Sequence, residues 1–156
     1  MTEEQQILCE AQASFFESSI DLFRCGSSYF ISRFMNSDIA KKMDAVGNGF
    51  EYYDVPMMTA SLSSEFESLN RHGKERYPKP VLHWMGYIYR AWCIIKRARS
   101  SQIYRIMKAE RMLSLYDAFH TFDPEYCVER IYEMLQEEGM IEKRTDYEIF
   151  RSIMLS

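Results

Sequence analysis

Apolar side chains recur at three- and four-residue steps through most of the chain, the period of a helix with one buried face. From Glu3 to Arg24 the apolar positions are Leu8, Ala11, Phe15, Phe16, Ile20 and Phe23, which leaves Glu4, Gln12 and Glu17 to the wet face. Gly26 is the candidate end of that helix and Ser27 or Ser28 the cap of the next, whose apolar face is Tyr29, Phe30 and Phe34. Asn36-Ser37-Asp38 restarts the chain into a short helix with Ile39 and Met43 inward, closed by Gly47-Asn48-Gly49. Leu62, Phe66 and Leu69 predict a further helix that ends near Gly73.

Lys79-Pro80 opens the longest predicted helix, over about residues 80–97, with the proline in the first turn, where a missing amide donor is harmless. Val81, Met85, Ile88, Trp92 and Ile95 repeat at steps of four and three, and Trp84, Ala91 and Ile94 add apolar surface on other sides. A helix apolar around most of its circumference belongs at the centre of a domain. Its polar positions His83, Tyr87, Arg90 and Arg97 fall on one stripe.

Beyond it, Ser100 or Ser101 caps a short helix carrying Ile103, Ile106 and Met107, and Met112, Leu113, Leu115, Tyr116 and Phe119 mark another. Asp123-Pro124-Glu125 combines a capping aspartate, a first-turn proline and an acidic residue favoured by the helix dipole. That helix carries Val128, Ile131, Met134 and Leu135 inward as far as Gly139, and residues 140–156 are expected to add a helical C-terminal segment. Phe50 to Met58 breaks the pattern. Tyr52, Tyr53 and Val55 before Pro56 suggest extended backbone, but no second strand is available to pair with it. Residues 47–60 are therefore expected to form an ordered loop.

The expected architecture is all-α: one compact domain, residues 1–156, of six to eight helices around the central apolar helix. Composition supports it. Only 6 glycines and 4 prolines stand among 156 residues, too few for the many tight turns of an all-β fold. With 47% hydrophobic and 27% charged residues the chain is globular and not disordered. The four cysteines at 9, 25, 93 and 127 include no close pair, which suggests buried, reduced thiols and a cytoplasmic location. The most apolar run, Val81 to Ile95, is interrupted by His83 and Arg90 and is shorter than the ~20 apolar residues of a membrane span. The acidic, polar start is unlike a secretory leader.

Charge is uneven along the chain. Between Arg71 and Arg111, eleven basic residues face only Glu75 and Glu110, a net of +9, so that the rest carries −13 of the overall −4. A basic middle between acidic arms suits nucleic acid or an acidic partner, and it equally suits neutralisation by the arms of the same molecule. The negative total favours the second.

Two stretches carry a resemblance. One is Phe34-Met35-Asn36-Ser37-Asp38-Ile39-Ala40-Lys41-Lys42-Met43-Asp44. The other runs from His83-Trp84-Met85-Gly86-Tyr87-Ile88-Tyr89-Arg90 through Ser100-Ser101-Gln102-Ile103-Tyr104 to His120-Thr121-Phe122-Asp123-Pro124-Glu125. Together they span about half of the chain, and they resemble a functionally uncharacterised family of small bacterial proteins often associated with toxin–antitoxin or mobile-element genes. Many members carry a proline where this chain has Ala109. The resemblance implies an antitoxin-like or accessory role and brings no catalytic residues with it.

Candidate chemistry is sparse. No C-x-x-C or H-E-x-x-H spacing exists, and the three histidines at 72, 83 and 120 are far apart, so no metal site is expected. Gly47 and Gly49 lack a third glycine, there is no Gly-Lys-Ser/Thr, and no cofactor is implied. Asp117, Asp123 and Glu125 lack the lysine that accompanies nuclease carboxylates. His83, Tyr87 and Arg90 suit a polar groove holding a phosphate or carboxylate; the competing expectation is that Arg90 pairs with an acidic arm while the other two bond to backbone or water.

Residues 101–119 can be drawn as a helix-turn-helix with Lys108-Ala109 as the turn. Arg90, Arg97, Arg99, Arg105 and Lys108 would then meet phosphates, although Glu110 and Asp117 oppose them. Tyr52, Tyr53, Met57 and Met58, in the segment that core packing explains least, are the expected partner-binding residues, since tyrosine and methionine are favoured at interfaces. The expected activity is non-enzymatic, stoichiometric binding of a protein partner; nucleic-acid binding through residues 90–111 is the alternative.

Overall fold

A computed structural model describes residues 1–45, 52–67, 69, 72–142 and 154. Among them are nine α-helices and no strand: α1 (Glu3–Leu22), α2 (Ser27–Met35), α3 (Asp38–Asp44), α4 (Val55–Glu65), α5 (Lys79–Lys96), α6 (Ser100–Ile106), α7 (Ala109–Ser114), α8 (Tyr116–Phe119) and α9 (Pro124–Glu137). The all-α architecture holds, with one helix more than the expected upper bound because Leu115 separates α7 from α8.

The centre is an antiparallel pair, α1 against α5. Asp21 meets Lys79, Glu17 meets His83, and Gln12 meets Gly86 and Arg90. Gly86 makes the close approach possible: a Cβ there would lie 2.8 Å from the Gln12 carbonyl oxygen and 2.9 Å from Ala13 Cα. Where the two helices touch backbone to backbone, α1 delivers Phe15 and Phe16 to the core. These rings meet Phe30 and Phe34 of α2 edge to face, with centroids 5.2–5.6 Å apart. That geometry adds to plain area burial. Trp92, 1% exposed, Met85 and Ile88 complete the inner face of α5, as its spacing predicts. Helix α9 packs on α5 with Val128, Ile131 and Leu135 buried.

Several local expectations need correction. Gln12 is not on the wet face; it is fully buried and donates to the Gly86 carbonyl at 3.1 Å. Gly26 is the cap of α2, not the end of α1, which stops at Phe23. The Arg76 guanidinium then donates to the Ile20 and Phe23 carbonyls at that end. The expected loop over 47–60 is helical from Val55 onward. Asp54 caps α4 by accepting from the Met57 amide at 2.8 Å, and Pro56 sits harmlessly in the first turn. That helix stops at Glu65, short of the expected end near Gly73. Neither Ser100 nor Ser101 is a cap, because Arg99 is the cap and Ser100 is already the first residue of α6. The bend before α7 falls at Met107 and Lys108, one residue before the expected Lys108-Ala109 turn. Ala109 is the first residue of α7, a position whose backbone angle suits a proline. Residues 47–51 and, within the expected helical segment 140–156, residues 143–153 and 155–156 lie outside the described residues. All four cysteines are buried and free. No helix among the described residues is long and apolar enough to cross a membrane.

Candidate functional site

The polar stripe of α5 divides into two environments. Arg90 is entirely buried and is not a groove residue. Its Nε donates to Gln12 Oε1 at 2.8 Å, Nη1 to Asp44 Oδ1 at 2.6 Å, and Nη2 to Ser100 Oγ at 3.0 Å. Asp44 in turn accepts from the Ser100 hydroxyl at 2.6 Å and from its amide at 3.0 Å. The network ties α1, α3, α5 and α6 together, and it removes Arg90 from any phosphate-binding set. Beside it, burial pushes the Cys93 thiol up, and pushes Cys9 up to about 12, so neither is a nucleophile at neutral pH.

Tyr87 and His83, one and two turns earlier, face a cavity of about 410 Å³. Helix α5 supplies Pro80, His83, Trp84, Tyr87 and Ile88 to its wall. Glu10 comes from α1, Tyr116 and His120 come from α8 and its end, and Phe122 and Pro124 come from the turn into α9. The His83 ring lies between two carboxylates, with Nε2 3.4 Å from Glu10 and Nδ1 3.4 Å from Glu17. The Trp84 indole meets Tyr116 edge to face at 5.7 Å, and Tyr116 stacks on His120 at 4.2 Å. His120 is held from below by a 2.7 Å contact of Nδ1 with the Tyr116 carbonyl. Trp84 Nε1 is buried with no hydrogen-bond partner among the described residues. The Tyr87 phenol is pushed up to about 12 by burial, aided by Cys9, Glu10, Asp123 and Glu125, and therefore stays protonated at neutral pH.

The expected partner-binding set also divides. Tyr53, just ahead of the Asp54 cap, and Met58, on α4, are buried, at 7% and 0% exposure; only Tyr52 and Met57 reach the surface. Helical phase separates the two methionines: Met57 and Met58 are neighbours in sequence and so point to different sides of α4. Arg97, Arg99, Arg105 and Lys108 are exposed, and none pairs with a carboxylate among the described residues. Arg97 ends α5 in the left-handed region, φ 50°. The arms neutralise other members of the basic middle: Asp21 takes Lys79, Asp44 takes Arg90, Glu129 takes Lys96, and Glu138 takes Arg111. Helix α7, the would-be recognition helix, has Arg111 on Glu138 and Glu110 accepting from Ser28.

The cavity residues for which the sequence suggested no site role are Glu10, Trp84, Tyr116, His120 and Phe122. One local signal was available: Tyr116 and His120 stand four apart, the spacing that stacks rings on one helix face. Among the described residues no three His, Cys, Asp or Glu side chains are placed to hold a metal ion. No known protein family, characterised protein or solved structure matches the chain.

Proposed function

We propose that the protein is a non-enzymatic accessory module that binds a partner protein stoichiometrically, with the cavity on α5 as its recognition site. One observation carries this reading. Aromatic side chains packed at the edge of the core converge on one open cavity, and the ring cluster continues outward through Phe122 and Tyr126, 47% and 51% exposed and 5.3 Å apart. Tyrosine, tryptophan and phenylalanine in such a setting are typical interface anchors. An antitoxin-like or mobile-element role is supported by the sequence resemblance alone.

The test is affinity capture from cells that encode the protein, with mass spectrometry and stoichiometry of the recovered complex. Phe122→Ala with Tyr126→Ala is expected to lose the partner, while Tyr52→Ala with Met57→Ala retains it. The reverse pattern would return the interface to the start of α4.

A second reading, nucleic-acid binding, is supported by the exposed Arg97, Arg99, Arg105 and Lys108. Reversing Arg97, Arg99 and Arg105 to Glu tests it. Loss of binding to duplex or single strands, with a shallower salt dependence, selects it; unchanged behaviour removes it.

A further inference from the structure

We infer that the occupant of the α5 cavity is a lysine or arginine side chain presented by a basic segment of the partner protein, an inference that rests on reading the cavity as a binding site. The argument is complementarity of shape and charge. Trp84, Tyr87, Tyr116 and Phe122 line the wall with aromatic rings, and Glu10 places a carboxylate in the same wall. Cations are drawn to aromatic faces, tryptophan and tyrosine best, and a carboxylate at the rim adds a direct charge partner.

The carboxylates on the elements around the cavity all favour a cation. Helix α1 brings Glu10, and Glu17 stands behind His83. Asp123 and Glu125, at the start of α9, both act on the Tyr87 phenol, and Glu125 is itself paired with the Met1 ammonium at 2.5 Å, which leaves Asp123 and Glu10 as the nearer negative charges. Among the described residues no lysine or arginine lines the wall, and Lys79, beside Pro80 at its edge, is turned to Asp21 at 2.8 Å. The start of α9 would by itself attract an anion, but Asp123 already occupies it, accepting from the Glu125 amide at 2.9 Å. The imidazoles in the wall are His83 and His120, and His83 stands against Glu10, where an incoming ammonium would take its place.

Size and stem chemistry agree. The volume, about 410 Å³, falls in the ~300–1,000 Å³ range of small-ligand sites. It exceeds what a bare ammonium needs and suits a long side chain with its flanking backbone. Pro80, Ile88 and Pro124 give apolar surface for the methylene stem.

Tryptophan supplies the readout, because the chain has only two. Trp84 lines the cavity, and Trp92, 1% exposed in the core, is the internal control. The indole N–H resonances are assigned with Trp84→Phe. Full-length protein is then titrated with a short lysine-containing peptide, the same peptide with norleucine for lysine, and the same with glutamate, above the ordinary imidazole range of pH. The lysine peptide is expected to move the Trp84 resonance and leave Trp92 in place. Norleucine should bind about tenfold more weakly, and glutamate more weakly still. Glu10→Gln should weaken the lysine peptide by about three- to tenfold with an unchanged unfolding midpoint.

Equal binding of the norleucine peptide, binding of the glutamate peptide, or an unmoved Trp84 with millimolar lysine peptide would each overturn the inference. n-Butylamine binding as well as the peptide would also overturn it, in favour of a free amine. If the peptides fail while Phe122→Ala with Tyr126→Ala still releases the captured partner, the cavity docks a protein by other chemistry and only the cation is lost. If that double variant retains the partner as well, the binding-site reading falls with it.

Discussion

Two sites seven residues apart on α5 hold the same kinds of side chain and put them to opposite uses. Around Arg90, a guanidinium, a carboxylate, an amide and a hydroxyl are largely withdrawn from water, and each guanidinium nitrogen has an acceptor within 2.6–3.0 Å. Around His83, an imidazole and two carboxylates sit at 3.4 Å, partly exposed, beside an open cavity. The buried set is short, saturated and specific, so its polar groups hold four helices in register. The open set is long and unsaturated, so its groups remain available to a ligand. Position along the helix decides the difference: Gly86 lies between the two and is where α1 comes closest.

The largest test of this contrast is Arg90→Ala. Removing the guanidinium leaves the Asp44 carboxylate, 11% exposed, with an uncompensated charge, and should lower stability by about 3–5 kcal/mol in urea unfolding. Phe122→Ala, at the cavity, should change it by no more than ~1 kcal/mol. Equal effects would erase the distinction between the two sites.

Gly86→Ala strikes the hinge of the comparison. The new Cβ at 2.8 Å from a backbone oxygen must push α1 and α5 apart, an overpacking penalty of about 1–3 kcal/mol. The gain in helix propensity, ~1 kcal/mol, offsets part of it. The separation would also move Glu10 relative to His83 and Trp84, so lysine-peptide binding should weaken in the same variant. Weakened binding with full stability would mean that the cavity, and not the crossing, senses Gly86.

How much of this was legible in the sequence depends on the range of the signal. Helices α1, α5 and α9 follow from apolar period and capping residues, because both are local. The same local signal at Asp54-Val55-Pro56, a cap followed by a first-turn proline, was outweighed by the extended appearance of Tyr52, Tyr53 and Val55. Asp123-Pro124-Glu125, with no such neighbours, was plain. Asp54→Ala should therefore lower stability by about 1 kcal/mol, and thermal unfolding followed by circular dichroism would show it. An unchanged midpoint would mean that tertiary packing alone holds the start of α4. Gln12 and the cavity were not legible for a different reason. Gln12 is buried by partners 74 and 78 residues away, and the cavity is assembled from α1, α5, α8 and the start of α9. No periodicity within one helix encodes those meetings.

The smallest expected effect sharpens the comparison most. His83 touches two carboxylates yet is 36% exposed, and Glu10 and Glu17 are 57% and 43% exposed. Pairs so open to solvent contribute about 0–1 kcal/mol and are screened by salt. His83→Gln should accordingly leave the unfolding midpoint nearly unchanged, in contrast to Arg90→Ala on the same stripe. Its effect on binding should have the opposite sign to that of Glu10→Gln, because removing the imidazole frees both carboxylates for an incoming ammonium. Lysine-peptide affinity should hold or rise, most clearly at low salt and at a pH where imidazoles are protonated. A fall in stability comparable to that of Arg90→Ala would place His83 in a structural network after all. A fall in affinity without a fall in stability would make His83 a contact for the ligand, which an ammonium would not seek.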